Sequence, residues 1–452
     1  MRRAAWLAVL AVGALRAQPL TMTEAVETAL RNYPSVQVSQ EQIAAAAAGI
    51  QLARTAFLPR IDGLAQINRA TRNNVFGMLL PQQVIPQLSG PVIGTNNLGS
   101  AWGSAVGVLV TWEPFDFGLR HANVAASEAA RAASDAAAKR TEYEVAVATA
   151  DAYLTLAAAQ ETVVAARAGV DRGETVARTI RALVESELRP GADASRADAE
   201  LAAARTQLIQ AEQAVAVARA TVARFTGAPP DQVAIAAPAL TRLPPEQETP
   251  AFDAAANPVA VEQHAAIEQA KAQLHALERQ YFPRFYLQGS AYARGTGAEL
   301  NGDILGGVNG LAPNVQNYAL GFSVSFPVFD FAAIHAREAQ QAATVRAQTA
   351  RAQQIARDLT AQFQTAAAML LGARRIAANT PVEVFAARAA ALQATARYQS
   401  GLGNVDAVAE AQRLVTQAEI DDALARLGVW RGLLAVAAAA GDIRPFLAEV
   451  GR

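Results

Sequence analysis

The chain has 452 residues and no cysteine, with 39 basic and 40 acidic side chains and a formal net charge of −1. Length alone admits two or three domains with ample core. The lack of cysteine excludes disulfides, thiolate metal sites, thiol nucleophiles and lipidation of a mature N-terminal cysteine. The even charge balance offers nucleic acid no basic surface to grip.

The N-terminus reads as an export signal over residues 1–17: Arg2 and Arg3, an apolar run over 4–15, and a small residue, Ala17, as the expected cleavage position. No later segment offers about 18 uncharged apolar residues in a row, so membrane insertion of the mature chain is expected through strands. Residues 21–57 are Ala-rich with apolar positions at helical spacing, with Thr23 and Glu27 near the expected start and Pro59 as the stop. Strands follow at about 59–72 and 100–116, separated by a Gly/Asn/Pro-rich loop. In the second strand Trp102, Val106, Val108, Val110 and Trp112 share one face, opposite Ala101, Gly103, Ala105, Gly107 and Thr111. Trp102 and Trp112 are ten residues apart. At about 3.3 Å per residue and a tilt near 40° they stand roughly 25 Å apart along a membrane normal, the spacing of two aromatic girdles.

After Phe115-Asp116-Phe117 a helical hairpin is expected over 117–226, turning at Arg189-Pro190-Gly191. Its first arm has about 70 residues, or roughly 100 Å, longer than globular helices usually run. A proline-rich linker spans 229–256.

The whole pattern then repeats over 257–441. Pro59 stands 25 residues after Pro34, and Pro283 stands 25 after Pro258. Strands are expected at about 284–294 and 318–330, then a corner Phe329-Asp330-Phe331, then a hairpin over 331–440 with a kink at Pro381 and a turn at Gly401-Leu402-Gly403-Asn404. From the corners onward one offset of 214 relates the copies, pairing His121 with His335 and Leu188 with Leu402. Residues 442–452 form a C-terminal tail.

Four strands per chain cannot close a barrel, and open sheet edges are not tolerated in lipid. Two chains would give eight strands with an interior filled by side chains; three would give twelve and leave room for water. The fold class expected is therefore mainly α with a membrane β part: a long coiled-coil helical barrel plus a 12-stranded β-barrel shared by a homotrimer, four strands per subunit, with internal duplication.

The Tyr-Pro and Asn-Pro openings at Pro34 and Pro258, the aromatic-x-Pro-Arg segments ending at Arg60 and Arg284, the two Phe-Asp corners and the Gly-Leu turn together resemble the TolC-like outer membrane efflux proteins over essentially all of the mature sequence. The resemblance implies an outer-membrane duct reaching into the periplasm that exports small molecules or proteins. It implies as partners a periplasmic adaptor protein, an inner-membrane pump or secretion ATPase, and outer-membrane lipid, with no cofactor and no nucleic acid. It matches Tyr398 and Asp193 to a hydrogen-bonded link that holds the periplasmic end closed, and Glu410 to a lumen-facing carboxylate ring. Leu188, Gly401 and Leu402 match adaptor-docking tips. At Gly403, where a gating arginine can occur in the family, and at Ala407, where a second carboxylate is common, the sequence departs from the pattern.

Neither a phosphate-cradling glycine loop nor a nucleophile motif is present, and His121, His335, His264 and His275 lack metal-ligand spacing, so neither enzymatic activity nor a metal site is expected. A structural coiled-coil envelope protein or adhesin is the alternative, using the long helices as a spacer without a barrel.

Overall fold

The computed structural model describes residues 19–71, 99–235, 238–246, 252–299 and 303–451. The expected export signal at 1–17 and the loop joining the first two strands lie outside these residues. Helices dominate and one four-stranded sheet accompanies them, as the expected fold class requires. The chain divides into two compact units, one made of Met1–Glu41, Asp135–Gln263 and Arg351–Arg452, the other of Gln42–Ser134 and His264–Ala350.

The first unit is helical. Helix α1 (Met22–Asn32) opens on a capping box: the Thr21 hydroxyl accepts from the Glu24 amide at 3.3 Å, and the Glu24 carboxylate accepts from the Thr21 amide at 2.9 Å. Thr21 therefore takes the role expected of Thr23. The single helix expected over 21–57 is broken at Tyr33, which is extended (φ −71°, ψ 126°) because the residue before a proline disfavours helical ψ. Pro34 then opens α2 (Pro34–Thr55), where its missing amide costs nothing.

The long arms are α3 (Leu119–Glu185) and α6 (Phe331–Gln399), of 67 and 69 residues, and the returning arms are α4 (Gly191–Thr226) and α7 (Val405–Ala440), of 36 each. Helix α6 is continuous through Pro381. Helix α7 is long and apolar enough to cross a membrane by length and composition, but over half of its most apolar stretch is buried against the protein. Close packing uses small residues: a Cβ on Gly169 of α3 would lie 2.8 Å from the Thr416 hydroxyl of α7. Beside it Glu419 of α7 pairs with Arg172 of α3 at 2.9 Å and with Arg388 of α6 at 2.8 Å, joining three helices.

The Asn-Pro motif of the second copy has a structural purpose. Asn257 is almost fully buried; its side-chain oxygen accepts from the Val259 amide at 3.0 Å and caps α5 (Pro258–Glu278), while its amide donates to the Ala439 carbonyl at 3.1 Å. The linker forms short 3-10 turns at Pro230–Gln232, Pro238–Thr241 and Ala254–Ala256. It is tied down where the Trp430 indole donates to the Arg242 carbonyl at 2.9 Å. The tail folds into α8 (Arg444–Val450), whose Phe446 packs edge-on against Trp430 in the core that also holds Met22, Val26 and Tyr153.

The second unit holds the sheet, in the order β1 (Arg60–Thr71), β2 (Ser100–Phe115), β3 (Arg284–Thr296), β4 (Val315–Ser325), every neighbour antiparallel. Strand β4 stops earlier than the expected 330, since Pro327 has no amide to donate to a ladder and the chain turns there. At the first corner Asp116 accepts from the Gly118 and Arg120 amides at 3.1 and 2.7 Å and pairs with the buried Arg120 guanidinium at 3.0 Å. That guanidinium also donates to the Ala56 carbonyl at 3.3 Å and lies 4.8 Å from the Phe57 ring centroid, so one ion pair fixes the ends of α2, β2 and α3. The offset of 214 replaces Arg120 with Ile334 in the second copy, which is buried instead.

Backbone approach in the sheet is tightest at Gly107, where a Cβ would lie 2.3 Å from the Tyr292 Cβ and 2.7 Å from the Ala291 carbonyl oxygen; at Gly63 nothing lies within 4 Å. Gly107→Val should therefore cost about 3 kcal/mol or more through forced strand separation, while Gly63→Val should stay within about 0.5 kcal/mol of wild type. Urea unfolding followed by tryptophan fluorescence checks both, and equal midpoints for the two variants would contradict the packing.

Candidate functional site: a two-faced sheet and the hairpin tips

The register of the sheet decides what its faces are. Ile61 pairs with Val110, Val110 with Gly289 and Gly289 with Leu320; the next rows run Val108, Ala291, Tyr318 and Trp112, Leu287, Phe322. These residues share one face because side chains alternate with period two and the register never slips among them. Trp102 and Trp112 both belong to this face, Trp102 opposite Arg69 and Trp112 opposite Leu287. Val106, Val108, Tyr318, Leu320, Phe322 and Val324 are all exposed on it. The Trp112 indole donates to the Phe57 carbonyl at 3.1 Å and the Arg69 guanidinium lies 5.3 Å from the Trp102 ring centroid, so each indole has a polar neighbour.

The opposite face carries Asp62, Gln66, Asn68, Gln288, Ser290, Arg294 and Asn317. Gln66 is exposed there, while polar atoms of Gln288 and Ser290 are buried without a hydrogen-bond partner among the described residues. A sheet whose one face is apolar across the middle of all four strands, with polar side chains concentrated on the other, is the surface a transmembrane barrel needs.

The hairpin tips of the first unit are built on one plan. In the first, the Glu187 amide donates to the Val184 carbonyl and the Leu188 amide to the Leu183 carbonyl, both at 2.9 Å; in the second, Gly401 donates to Tyr398 at 3.1 Å and Leu402 to Arg397 at 2.9 Å. Both are Schellman turns, with the left-handed position held by Glu187 (φ 60°) in one and Gly401 (φ 84°) in the other. The turn geometry leaves Leu188 and Leu402 69% and 74% exposed.

Asp193 stands in the first turn of α4 and Tyr398 in the last turn of α6, and the Tyr398 hydroxyl donates to the Asp193 carboxylate at 2.7 Å. Tyr398 is only 2% exposed, packed among Val170, Ile180, Leu201, Val405 and Val408. Burial, and then the bond to Asp193, push its phenol up from 10 to about 12.

Glu410 is exposed and paired with Arg413 at 2.9 Å, a contact between residues three apart on α7. Arg413 also reaches Glu200 at 3.5 Å, Glu200 meets Arg196 at 3.2 Å, and Arg196 meets Asp406 at 3.5 Å. Glu410 thus belongs to a chain of three carboxylates and two guanidinium groups that links α4 to α7. One residue at the tips escaped sequence reasoning: Arg189, whose guanidinium donates to the Tyr398 carbonyl and lies 4.3 Å from the Tyr398 ring centroid. The signal that could have found it is the repeat itself, which sets Arg189 opposite Gly403.

Long duplicated helical hairpins joined to a two-faced sheet define a membrane channel subunit. The outer membrane efflux protein family model matches residues 25–228 and 254–442, and the chain belongs to that family. It is an outer-membrane efflux channel protein that extends into the periplasm, and both family and fold are those of a transport channel. Its fold is similar to the Campylobacter jejuni CmeC outer membrane channel (15% identity, TM-score 0.74, 93% of this chain and 85% of that one). It is likewise similar to the Vibrio cholerae outer membrane protein VceC (16%, TM-score 0.73, 93% and 96%) and to the open state of the Neisseria gonorrhoeae MtrE outer membrane channel (19%, TM-score 0.72, 95% and 93%). No curated protein matches the chain in sequence.

The Tyr398 shift has a signed consequence. Below pH 10 the phenol is protonated in folded and unfolded chains alike, so the stabilisation from its hydrogen bond is complete; it is lost as pH rises through about 12. Absorbance titration at 295 nm after a rapid pH jump, wild type minus Tyr398→Phe, should show one tyrosine with a midpoint near 12; a midpoint near 10 would contradict the buried bond.

Proposed function

We propose that three copies of the chain share one 12-stranded barrel and form an export duct closed at its hairpin tips. The observation that carries this reading is the sheet: β1 and β4 each have one unpaired edge among the described residues, and the apolar face runs across all four strands. Free edges in lipid leave amides and carbonyls without partners at several kcal/mol each, and pairing β1 of one copy with β4 of the next removes every edge. Three copies rather than two leave a water-filled interior, bounded by the polar face with Gln66 and Asn68, while Trp102 and Trp112 form girdles against outer-membrane lipid.

The helices support the same assembly. Leu371, Phe385 and Leu392 on α6 are exposed apolar residues spaced by multiples of seven, the seam a coiled coil presents to a neighbouring helix. In this duct the Asp193 to Tyr398 link keeps the tips closed, and three Glu410 side chains ring the lumen, their charge offset in part by Arg413. Leu188, Gly401 and Leu402 present the surface for a periplasmic adaptor, which couples the duct to an inner-membrane pump or secretion ATPase that selects the cargo.

Light scattering of the detergent-extracted protein should give three chain masses, dropping to one on boiling; a stable mass of one or two chains in unheated samples would refute the shared barrel. In planar bilayers Asp193→Ala and Tyr398→Phe should each raise the resting conductance of the closed duct by roughly tenfold in open probability, the equivalent of one lost charge-assisted hydrogen bond. Resting conductance unchanged in both variants would refute the link as a gate.

A further inference from the structure

We infer that Arg189 is a positioning residue of the closed tips, gripping the turn of the second hairpin so that the Tyr398 hydroxyl is presented to Asp193. The inference rests on the gate reading above and adds to it a residue from the opposite turn.

Three contacts converge on one guanidinium. It donates to the Tyr398 carbonyl, which precedes the second turn, and to the Gly403 carbonyl within it at 3.5 Å, and its central carbon lies over the Tyr398 ring, 4.3 Å from the centroid. Arginine's planar fork can span two acceptors while stacking on an aromatic face, which a lysine cannot do. The Schellman bonds already satisfy the Tyr398 and Arg397 carbonyls, so capping alone does not require Arg189. Tyr398 is held on its face by Arg189 and at its hydroxyl by Asp193, four residues further along the first hairpin.

The duplication shows that this arrangement is one-sided. The offset of 214 sets Arg189 against Gly403, Asp193 against Ala407 and Tyr398 against Val184. One copy supplies the guanidinium and the carboxylate, the other the phenol, and each polar group has a small or apolar counterpart. Gly403 has little room for a side chain: a Cβ there would lie 3.1 Å from the Tyr398 amide nitrogen and 3.3 Å from the Arg397 carbonyl carbon.

Among the described residues Arg189 has no carboxylate within ion-pair distance; its acceptors are carbonyls and a ring. Its hold thus depends on the shape of the turn, and a change of turn shape releases it.

The test uses the full-length trimer in planar bilayers, with heat-modifiable migration as the check on assembly. Arg189→Ala should raise resting open probability roughly tenfold, and adding it to Tyr398→Phe should raise it no further, because both act on one phenol. Arg189→Lys keeps the charge and the stem but not the fork, and should behave as Arg189→Ala does; it decides the matter if the alanine variant fails to assemble. Gly403→Ala, which presses on the same turn from the other side, should also raise open probability. The inference is overturned if Arg189→Lys and Arg189→Ala conduct as wild type while Tyr398→Phe leaks, an outcome that leaves the gate reading intact. Effects of Arg189→Ala and Tyr398→Phe that multiply would overturn it as well, showing that Arg189 acts elsewhere. If no variant leaks, including Asp193→Ala, the gate reading itself falls and the inference with it.

Discussion

The two edges of the four-stranded sheet that have no partner strand among the described residues are the constraint from which the rest of this molecule follows. A sheet with an apolar face across every strand belongs in lipid, and in lipid an unpaired backbone edge costs several kcal/mol for each unsatisfied group. Four strands are too few to close a barrel, so under the proposed assembly membrane insertion and association of the copies are one problem. The face pattern is consistent with this: the rows Ile61–Val110–Gly289–Leu320 and Trp112–Leu287–Phe322 run from strand to strand without a slip, as they must if the face is to continue into another copy.

Duplication supplies the material and asymmetry supplies the chemistry. The frame is held in common: corner, 67- and 69-residue arms, 36-residue returns and Schellman turns appear in both copies. Polar interactions are distributed unequally over that frame. The buried Asp116–Arg120 pair fixes the first corner, where the second has Asp330 with Ile334. Asp330 is exposed, so the loss of its arginine leaves no buried charge unpaired; the frame survives the exchange, and the two copies are free to diverge.

What could be read from the sequence was what repeats with a period. Alternation exposed the strands and their faces, the 25-residue proline spacing and the offset of 214 exposed the duplication, and both long arms were visible as uninterrupted helical tracts. Local competition blurred the rest. Thr21 and Thr23 are both plausible caps, and only the reciprocal bond with Glu24 selects Thr21. Pro34 reads equally as part of a helix and as its first residue, and Tyr33 decides by its extended backbone. The pairing of Asp193 with Tyr398 spans 205 residues and came from family resemblance, not from periodicity. The bond from Arg189 to Gly403 spans 214 residues, the repeat offset itself, so its trace in the sequence is a difference between the copies at equivalent positions rather than a shared pattern.

The first tip keeps a residue that a turn of this kind disfavours. Glu187 sits at φ 60° where Gly401 takes the same position in the other copy, and a non-glycine residue there costs on the order of 1 kcal/mol. The hydrogen bonds around the two turns are the same to within 0.2 Å, so the geometry is imposed by the turn rather than chosen by the residue. Glycine would fit the first turn better, but it would also loosen the backbone two residues before Arg189, which must hold a fixed reach across to Tyr398. The second turn has the opposite need, since a side chain at 403 would crowd Tyr398. A stiff turn that carries the arginine and a bare turn that receives it form a complementary pair, and the local strain at Glu187 is consistent with the stiffness that such a reach requires.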